Sequence, residues 1–202
     1  MKRCLLWKWE LLIIIFDVIN SSMQIKYEFE FEDESIYSDC SDVPPETRNI
    51  NGLFDMTNLK RIMNPEGIAL SGNMTSVFNA QPLDRIEVTA NLLYFDRGIW
   101  LPTTLNMIVK DFCKVMYDKK QLWYEAWSSH IRNKEAIEDH CIKVYGTLFL
   151  METYTVDLFF GSGMPLFSGR HTLRIRIFAY DQSGKKRPHD VCYEIKGKFY
   201  KI

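Results

Sequence analysis

The side chains best suited to chemistry in this chain are its five cysteines and four histidines. Thiolates and imidazoles bind zinc, and two thiols can form a disulfide. His140 adjoins Cys141, and His189 precedes Cys192 by three residues. No Cys-x-x-Cys pair is present, however, and zinc sites usually require such closely spaced ligands. The spacing therefore favours disulfides over a metal site.

The other polar residues form no motif that is typical of catalysis. The chain has no Gly-x-Ser-x-Gly elbow, His-Glu-x-x-His motif or Walker loop. Glu138 and Asp139 are most simply a solvated acidic pair. The 25 Lys and Arg nearly cancel the 26 Asp and Glu, whereas a protein that neutralises nucleic-acid phosphates has a basic excess. We therefore expect no enzymatic activity, no cofactor and no nucleic-acid partner.

The first 22 residues have the order of a secretory signal peptide. Basic residues come first, an apolar run follows at 11–16, and small polar residues stand at 20–22. The run at 11–16 also fits a buried strand, but the charge order and the N-terminal position favour the signal. Cleavage between Asn20 and Met23 would leave one exported domain, residues 23–202. No apolar run reaches the roughly 18 residues of a membrane-spanning helix.

Export changes the interpretation of the cysteines. Loss of the signal peptide removes Cys4 and leaves an even set, Cys40, Cys113, Cys141 and Cys192. An even count in an oxidising compartment indicates a disulfide framework. Four cysteines allow three pairings, and spacing does not choose among them. The Asn-Met-Thr sequon at Asn73 predicts an N-glycosylated surface position.

Strands must position any site in this chain, because apolar and polar residues alternate over much of it. Leu173, Ile175 and Ile177 alternate with Arg174 and Arg176, for example, which gives that segment one apolar face. The segment 53–63 is ambiguous. The segments predicted as strands are 24–32, 68–78, 85–95, 143–160, 170–180 and 191–199.

The apolar period changes in the middle of the chain. Pro102 with Thr103 or Thr104 offers a helix start. An amphipathic helix has apolar residues at the spacing i, i+3, i+4, i+7. The residues that match this spacing are Leu105, Ile108, Val109, Phe112, Cys113 and Met116. A second helical face combines Leu122, Trp123, Ala126 and Trp127. This order predicts a mainly β fold, a two-sheet antiparallel sandwich with a helical insertion.

Several of these features occur together in one known family. They are the export signal, an early Cys40 set against a late Cys192, an insertion that carries Cys113 and ends at Cys141, and the run 164–175, Met-Pro-Leu-Phe-Ser-Gly-Arg-His-Thr-Leu-Arg-Ile. In these features the chain resembles the insect chemosensory proteins A and B, which are similar to the ML lipid-recognition superfamily and the ganglioside-activator protein. The resemblance implies an immunoglobulin-like β-cup with an apolar cavity between its sheets, and the pairings Cys40–Cys192 and Cys113–Cys141.

The resemblance also implies a function. It is that of a secreted, non-enzymatic binding protein for a small hydrophobic ligand, such as a lipid, cuticular hydrocarbon or pheromone, in insect contact chemosensation. A chemoreceptor or another extracellular protein is a further expected partner. The predicted ligand-binding residues are Leu92, Tyr94, Trp123, Trp127, Phe159, Phe160, Met164, Leu173, Ile175 and Ile177.

These residues have ordinary structural interpretations as well. The apolar residues of 170–180 can be plain sandwich core, and the two tryptophans can pin a helix onto a sheet. Phe159 and Phe160 cannot both face inward on one regular strand. The alternative function is an extracellular protein–protein interaction module without a small ligand.

Overall fold

A computed structural model describes residues 25–156, 158–163 and 165–202. The predicted signal peptide and the predicted site residue Met164 lie outside the described residues. The described strands are β1 (Ile25–Phe31), β2 (Tyr37–Asp39), β3 (Phe54–Asp55), β4 (Leu59–Asn64), β5 (Gly67–Ser76), β6 (Arg85–Asp96), β7 (Ile99–Val109), β8 (Leu148–Val156), β9 (Phe159–Ser162), β10 (Arg170–Tyr180) and β11 (Val191–Lys201).

Helices occupy little of the described chain. They are α1 (Phe112–Val115), α2 (Leu122–Ala126) and α3 (Lys134–Ile137), with single 3-10 turns at Ile50–Gly52 and Ser128–His130. All three α-helices lie in the connection between β7 and β8. Within the described residues, no helix has both the length and the apolar character needed to cross a membrane.

The strands form two antiparallel sheets. Sheet A is curled and runs in the order β7-β6-β10-β11-β1-β9, with β2 also paired to β11. Sheet B is smaller and runs β3-β5-β4, with β8 also paired to β5. The predicted fold class, a mainly β two-sheet sandwich with a helical insertion, is confirmed.

Two apolar clusters lie between the sheets. The first cluster includes Ile86 and Ile177 of sheet A and Met74 of sheet B, and it also takes in Phe112 of the insertion. The second cluster joins β1 to β5 and β8, and its buried members are Phe29, Phe31, Ile36, Ile68, Leu70 and Val156. The helical insertion therefore packs against the sandwich through the first cluster.

The helix predicted from Pro102 to Met116 is wrong over most of its length. Residues 99–109 form strand β7, which pairs with β6, and the helix α1 covers only Phe112–Val115. Ile108 is 58% exposed because it pairs with Thr89, on the face of sheet A that points away from the first cluster. Strand β7 lies at the edge of sheet A. An edge strand tolerates a proline such as Pro102, because one side of the strand makes no ladder hydrogen bonds. The second predicted helical face is confirmed as α2.

The segment predicted as strand over 143–160 is divided. Residues 143–147 form turns, β8 joins sheet B, and β9 joins the far edge of sheet A. Both predicted disulfide pairings are confirmed. Cys40 bonds to Cys192 with a Cα–Cα distance of 5.8 Å, and Cys113 bonds to Cys141 with a Cα–Cα distance of 5.6 Å.

Candidate functional site

The register of sheet A decides which predicted site residues share a face. Residues paired directly across neighbouring strands point to the same side. Across β6, β10 and β11 they form four rows, Val88–Ile177–Val191, Ala90–Ile175–Tyr193, Leu92–Leu173–Ile195 and Tyr94–His171–Gly197. The first row belongs to the first apolar cluster, so these rows face sheet B, and we call this surface the inner face. The predicted site residues on β6 and β10 are therefore brought together.

The cover over the inner face is incomplete at the middle of β10. Along β10, His171 and Ile177 are 0% and 3% exposed, whereas Leu173 and Ile175 between them are only half-buried. Ile195, beside Leu173, is half-buried as well. Ile175 packs against the first cluster and Ile195 against the second. We call these three half-buried residues the accessible strip, and its members Ile175 and Ile195 border one cluster each.

Aromatic rings gather at one end of the inner face. The Phe167 ring stacks on Tyr94 with 5.1 Å between centroids. The His171 ring lies 5.3 Å from the Tyr94 ring and 5.1 Å from the Phe199 ring. Phe160 of β9 is 6.0 Å from Phe199. We call these five rings the aromatic end, and because Phe167 is 66% exposed, it borders solvent.

Pairing of β9 with β1 separates Phe160 from its neighbour Phe159. Phe160 lies opposite Tyr27, whose ring contacts Phe199 at a centroid distance of 6.1 Å, so Phe160 is on the inner face. Phe159 points the other way and is 62% exposed. It lines a surface pocket of about 210 Å³ together with Leu158 and residues from 120–126. Only one of the two phenylalanines belongs to the inner face.

Trp123 makes its hydrogen bond within the insertion, and Trp127 packs the insertion against the sandwich. The Trp123 indole N–H donates to the Met116 carbonyl at 2.9 Å. The Trp127 ring lies 5.9 Å from the Phe54 ring and 5.8 Å from the Phe149 ring, centroid to centroid. These contacts place both tryptophans beside the first cluster, away from the aromatic end. A role in ligand binding stays a prediction for them.

His171 places a titratable ring in this apolar surface. Its Nδ1 lies 3.0 Å from the Gly169 carbonyl oxygen; since a carbonyl only accepts, Nδ1 carries the proton. Burial lowers the pKa of His171, so the ring is neutral near pH 7 and Nε2 is an acceptor. The buried Nε2 has no hydrogen-bond partner among the described residues. Alternation could have placed His171 on this face, but its tautomer depends on the Gly169 carbonyl.

The opposite face of β10 is charged. Arg174 pairs with Glu194 at 2.7 Å, and Arg176 pairs with Asp190 at 2.7 Å. Both carboxylate side chains are almost wholly buried, with 2% and 4% exposure. The strand therefore has an apolar inner face and an ion-paired outer face, as its alternation predicts.

The predicted glycosylation site lies on the far side of the sandwich. Asn73 is half-buried in β5 and pairs with Leu150 of β8. Its neighbour Met74 points into the first cluster, so Asn73 points to the outer face of sheet B. A glycan there would leave the inner face of sheet A unobstructed. Glycosylation itself stays a prediction.

Comparisons with known proteins give no family assignment. No protein-family model matches the chain, and no curated protein matches it. The resemblance to the insect chemosensory proteins A and B therefore stays a prediction based on the residues given above.

Proposed function

We propose that this chain is a secreted, non-enzymatic binding protein for a small hydrophobic ligand. The ligand would lie between the sheets along the accessible strip, Leu173, Ile175 and Ile195. One observation carries the proposal: inward-facing aliphatic side chains in the middle of β10 stay half-buried, although their neighbours His171 and Ile177 on the same face are buried. A ligand that covers apolar area between the two sheets is stabilised by about 25 cal/mol of binding free energy per Å² removed from water.

We infer that the space between the sheets widens when a ligand enters it. Two surface pockets of the described residues measure about 210 and 170 Å³, below the about 300–1,000 Å³ that is usual for a site enclosing a ligand. Neither is lined by the accessible strip. Sheet separation along the strip would open it, because both clusters border it.

Export and a chemosensory role are part of this proposal. The two disulfides support an oxidising, extracellular compartment. The cuticular-hydrocarbon or pheromone ligand, and detection by contact, come from the family resemblance alone.

Organic extraction tests the proposal directly. The full chain would be secreted from insect cells, purified, extracted with chloroform and methanol, and the extract analysed by mass spectrometry. We expect a hydrophobic molecule at close to one per chain, and displacement of bound N-phenyl-1-naphthylamine by added fatty alcohols. An empty extract together with no probe binding would contradict the proposal. That result would favour the interaction module without a small ligand.

A variant that fills the strip tests the position of the site. Leu173→Trp should weaken binding of N-phenyl-1-naphthylamine at least tenfold, because the indole takes the space that the ligand needs. The matched control is Ile62→Trp, at a position that is 61% exposed in sheet B, and it should bind like wild type. Circular dichroism melting checks that both variants fold. Unchanged probe affinity in folded Leu173→Trp would place the ligand elsewhere.

A further inference from the structure

We propose that the ligand of the inner face is an aliphatic molecule with a terminal hydroxyl group, and that this hydroxyl donates a hydrogen bond to Nε2 of His171. The inference rests on the proposed function and specifies the class of ligand. The hydrocarbon tail would lie along the accessible strip, which begins at Leu173.

The acceptor on His171 carries the argument. A buried polar atom without a hydrogen-bond partner destabilises the folded protein. A ligand that donates a hydrogen bond to this atom removes that cost. Nε2 of His171 is such an atom among the described residues. Nδ1 donates to the carbonyl of Gly169, just before β10 begins, so Nε2, on the distal side of the ring, faces away from the β10 backbone. The ring, and with it Nε2, packs beside Tyr94 and Phe199 on the inner face.

The position of His171 joins this acceptor to the accessible strip. His171 and Leu173 are successive inward residues of β10, and residues two apart on a strand are separated by about 7 Å. A hydroxyl at Nε2 would thus place the first carbons of its chain above Leu173. The exposed Phe167 ring, stacked on Tyr94, is the part of the aromatic end that must turn aside for entry.

Other hydrophobic ligands fit this acceptor less well. An alkane has no donor, and an ester or ether offers only lone pairs to a nitrogen that also holds one. A carboxylate is likewise only an acceptor, and its charge would need a cation. Arg170, the neighbouring cation, lies on the outer face, where it pairs with Glu32 at 2.7 Å and covers Phe95.

A pair of ligands that differ only in the donor tests this inference. The probes are 1-decanol and its methyl ether, each titrated against wild-type protein loaded with N-phenyl-1-naphthylamine. We expect the alcohol to displace the naphthylamine at about tenfold lower concentration than the ether, the effect of one added hydrogen bond. In ¹⁵N spectra, the His171 Nε2 resonance should shift with the alcohol and stay in place with the ether.

The variant His171→Phe keeps a ring and removes the acceptor. Its preference for the alcohol should fall to about one, with ether affinity close to that of wild type. His140→Phe makes the same change at an exposed histidine and should keep the wild-type preference. If His171→Phe does not fold, the wild-type ligand ratio and the ¹⁵N shift decide the question.

The outcomes separate the two proposals. If wild type binds both ligands equally, or if His171→Phe keeps the preference, the hydroxyl inference is wrong while the hydrophobic-binding function stands. If neither ligand displaces the naphthylamine, the proposed function is wrong, and this inference fails with it.

Discussion

At the scale of single residues, Asp190 links the outer face of β10 to the segment before β11. Its carboxylate contacts Arg176 at 2.7 Å and Lys186 at 3.4 Å, and the Thr47 hydroxyl donates to it at 3.4 Å. Burial alone raises the pKa of Asp190, but the hydrogen bond from Arg176 and the charges of Lys186 and Arg176 outweigh that effect and lower it. The folded state therefore stabilises the ionised form.

Asp190→Asn should lower the free energy of unfolding at pH 7 by about 1–3 kcal/mol, because the amide cannot replace the charge-assisted hydrogen bond between this buried carboxylate and Arg176. Since the folded pKa lies below the unfolded one, this contribution is present above about pH 3.9 and is lost as the pH falls through the folded value. Urea unfolding at pH 7 and at low pH measures the change.

The control is Asp139→Asn, which makes the same substitution at an exposed position and should leave the unfolding free energy within about 0.5 kcal/mol of wild type. The difference between wild type and Asp190→Asn should shrink in acid. A difference that stayed constant down to pH 2 would show that the charge of Asp190 does not stabilise the fold.

At the scale of elements, strand β5 contains an irregularity that only glycine accommodates. The register between β5 and β8 shifts between Leu70 and Gly72, and Gly72 has a φ of +106°. A Cβ at this position would overlap the carbonyl oxygen of Asn58. Backbone conformation and close approach therefore both require glycine here.

Gly72→Ala should destabilise the protein by more than Gly98→Ala. Gly98 also has a positive φ, +88°, but a Cβ there would meet nothing within 4 Å. The second variant thus measures conformational strain alone, about 1–2 kcal/mol, and the first adds the overlap with Asn58. Urea unfolding of the two variants side by side gives the comparison, and equal losses would mean that the contact with Asn58 relaxes at no cost.

The sequence predicts strands well where one face of the strand is solvated and the other is buried. Strands β1, β6 and β10 follow from alternation, and β10 was predicted with its observed bounds, 170–180. Strand β7 was missed because its apolar residues, including the exposed Ile108, fit a helical spacing, and an edge strand is not forced to alternate cleanly. Its pairing with β6 depends on long-range contacts that local spacing does not encode.

The sequence likewise predicted only part of the candidate site. Alternation places Leu173 and Ile175 on one apolar face, but their incomplete burial depends on tertiary packing that alternation does not encode. The choice between Phe159 and Phe160 required the register of β9 against β1. The acceptor on His171 required the position of the Gly169 carbonyl, which no residue pattern specifies.

At the scale of the whole molecule, neither disulfide joins the two sheets. Cys40 follows β2 and Cys192 lies in β11, so the first bond lies within sheet A. The bond Cys113–Cys141 lies within the insertion between β7 and β8. The sheets therefore meet mainly through the two apolar clusters, and neither disulfide fixes the distance between the sheets. This arrangement suits a site that widens when a ligand enters.

The two disulfides should differ in what their removal does. Loop closure over 152 residues corresponds to about 5 kcal/mol for Cys40–Cys192, and over 28 residues to about 3.6 kcal/mol for Cys113–Cys141. We expect urea unfolding of the double alanine variants to rank in that order. Helices of four or five residues are not stable alone, so loss of Cys113–Cys141 should also expose the insertion to trypsin while sheet A stays protected. Equal protection of the insertion with and without that bond would show that Trp123 and Trp127 hold it in place unaided.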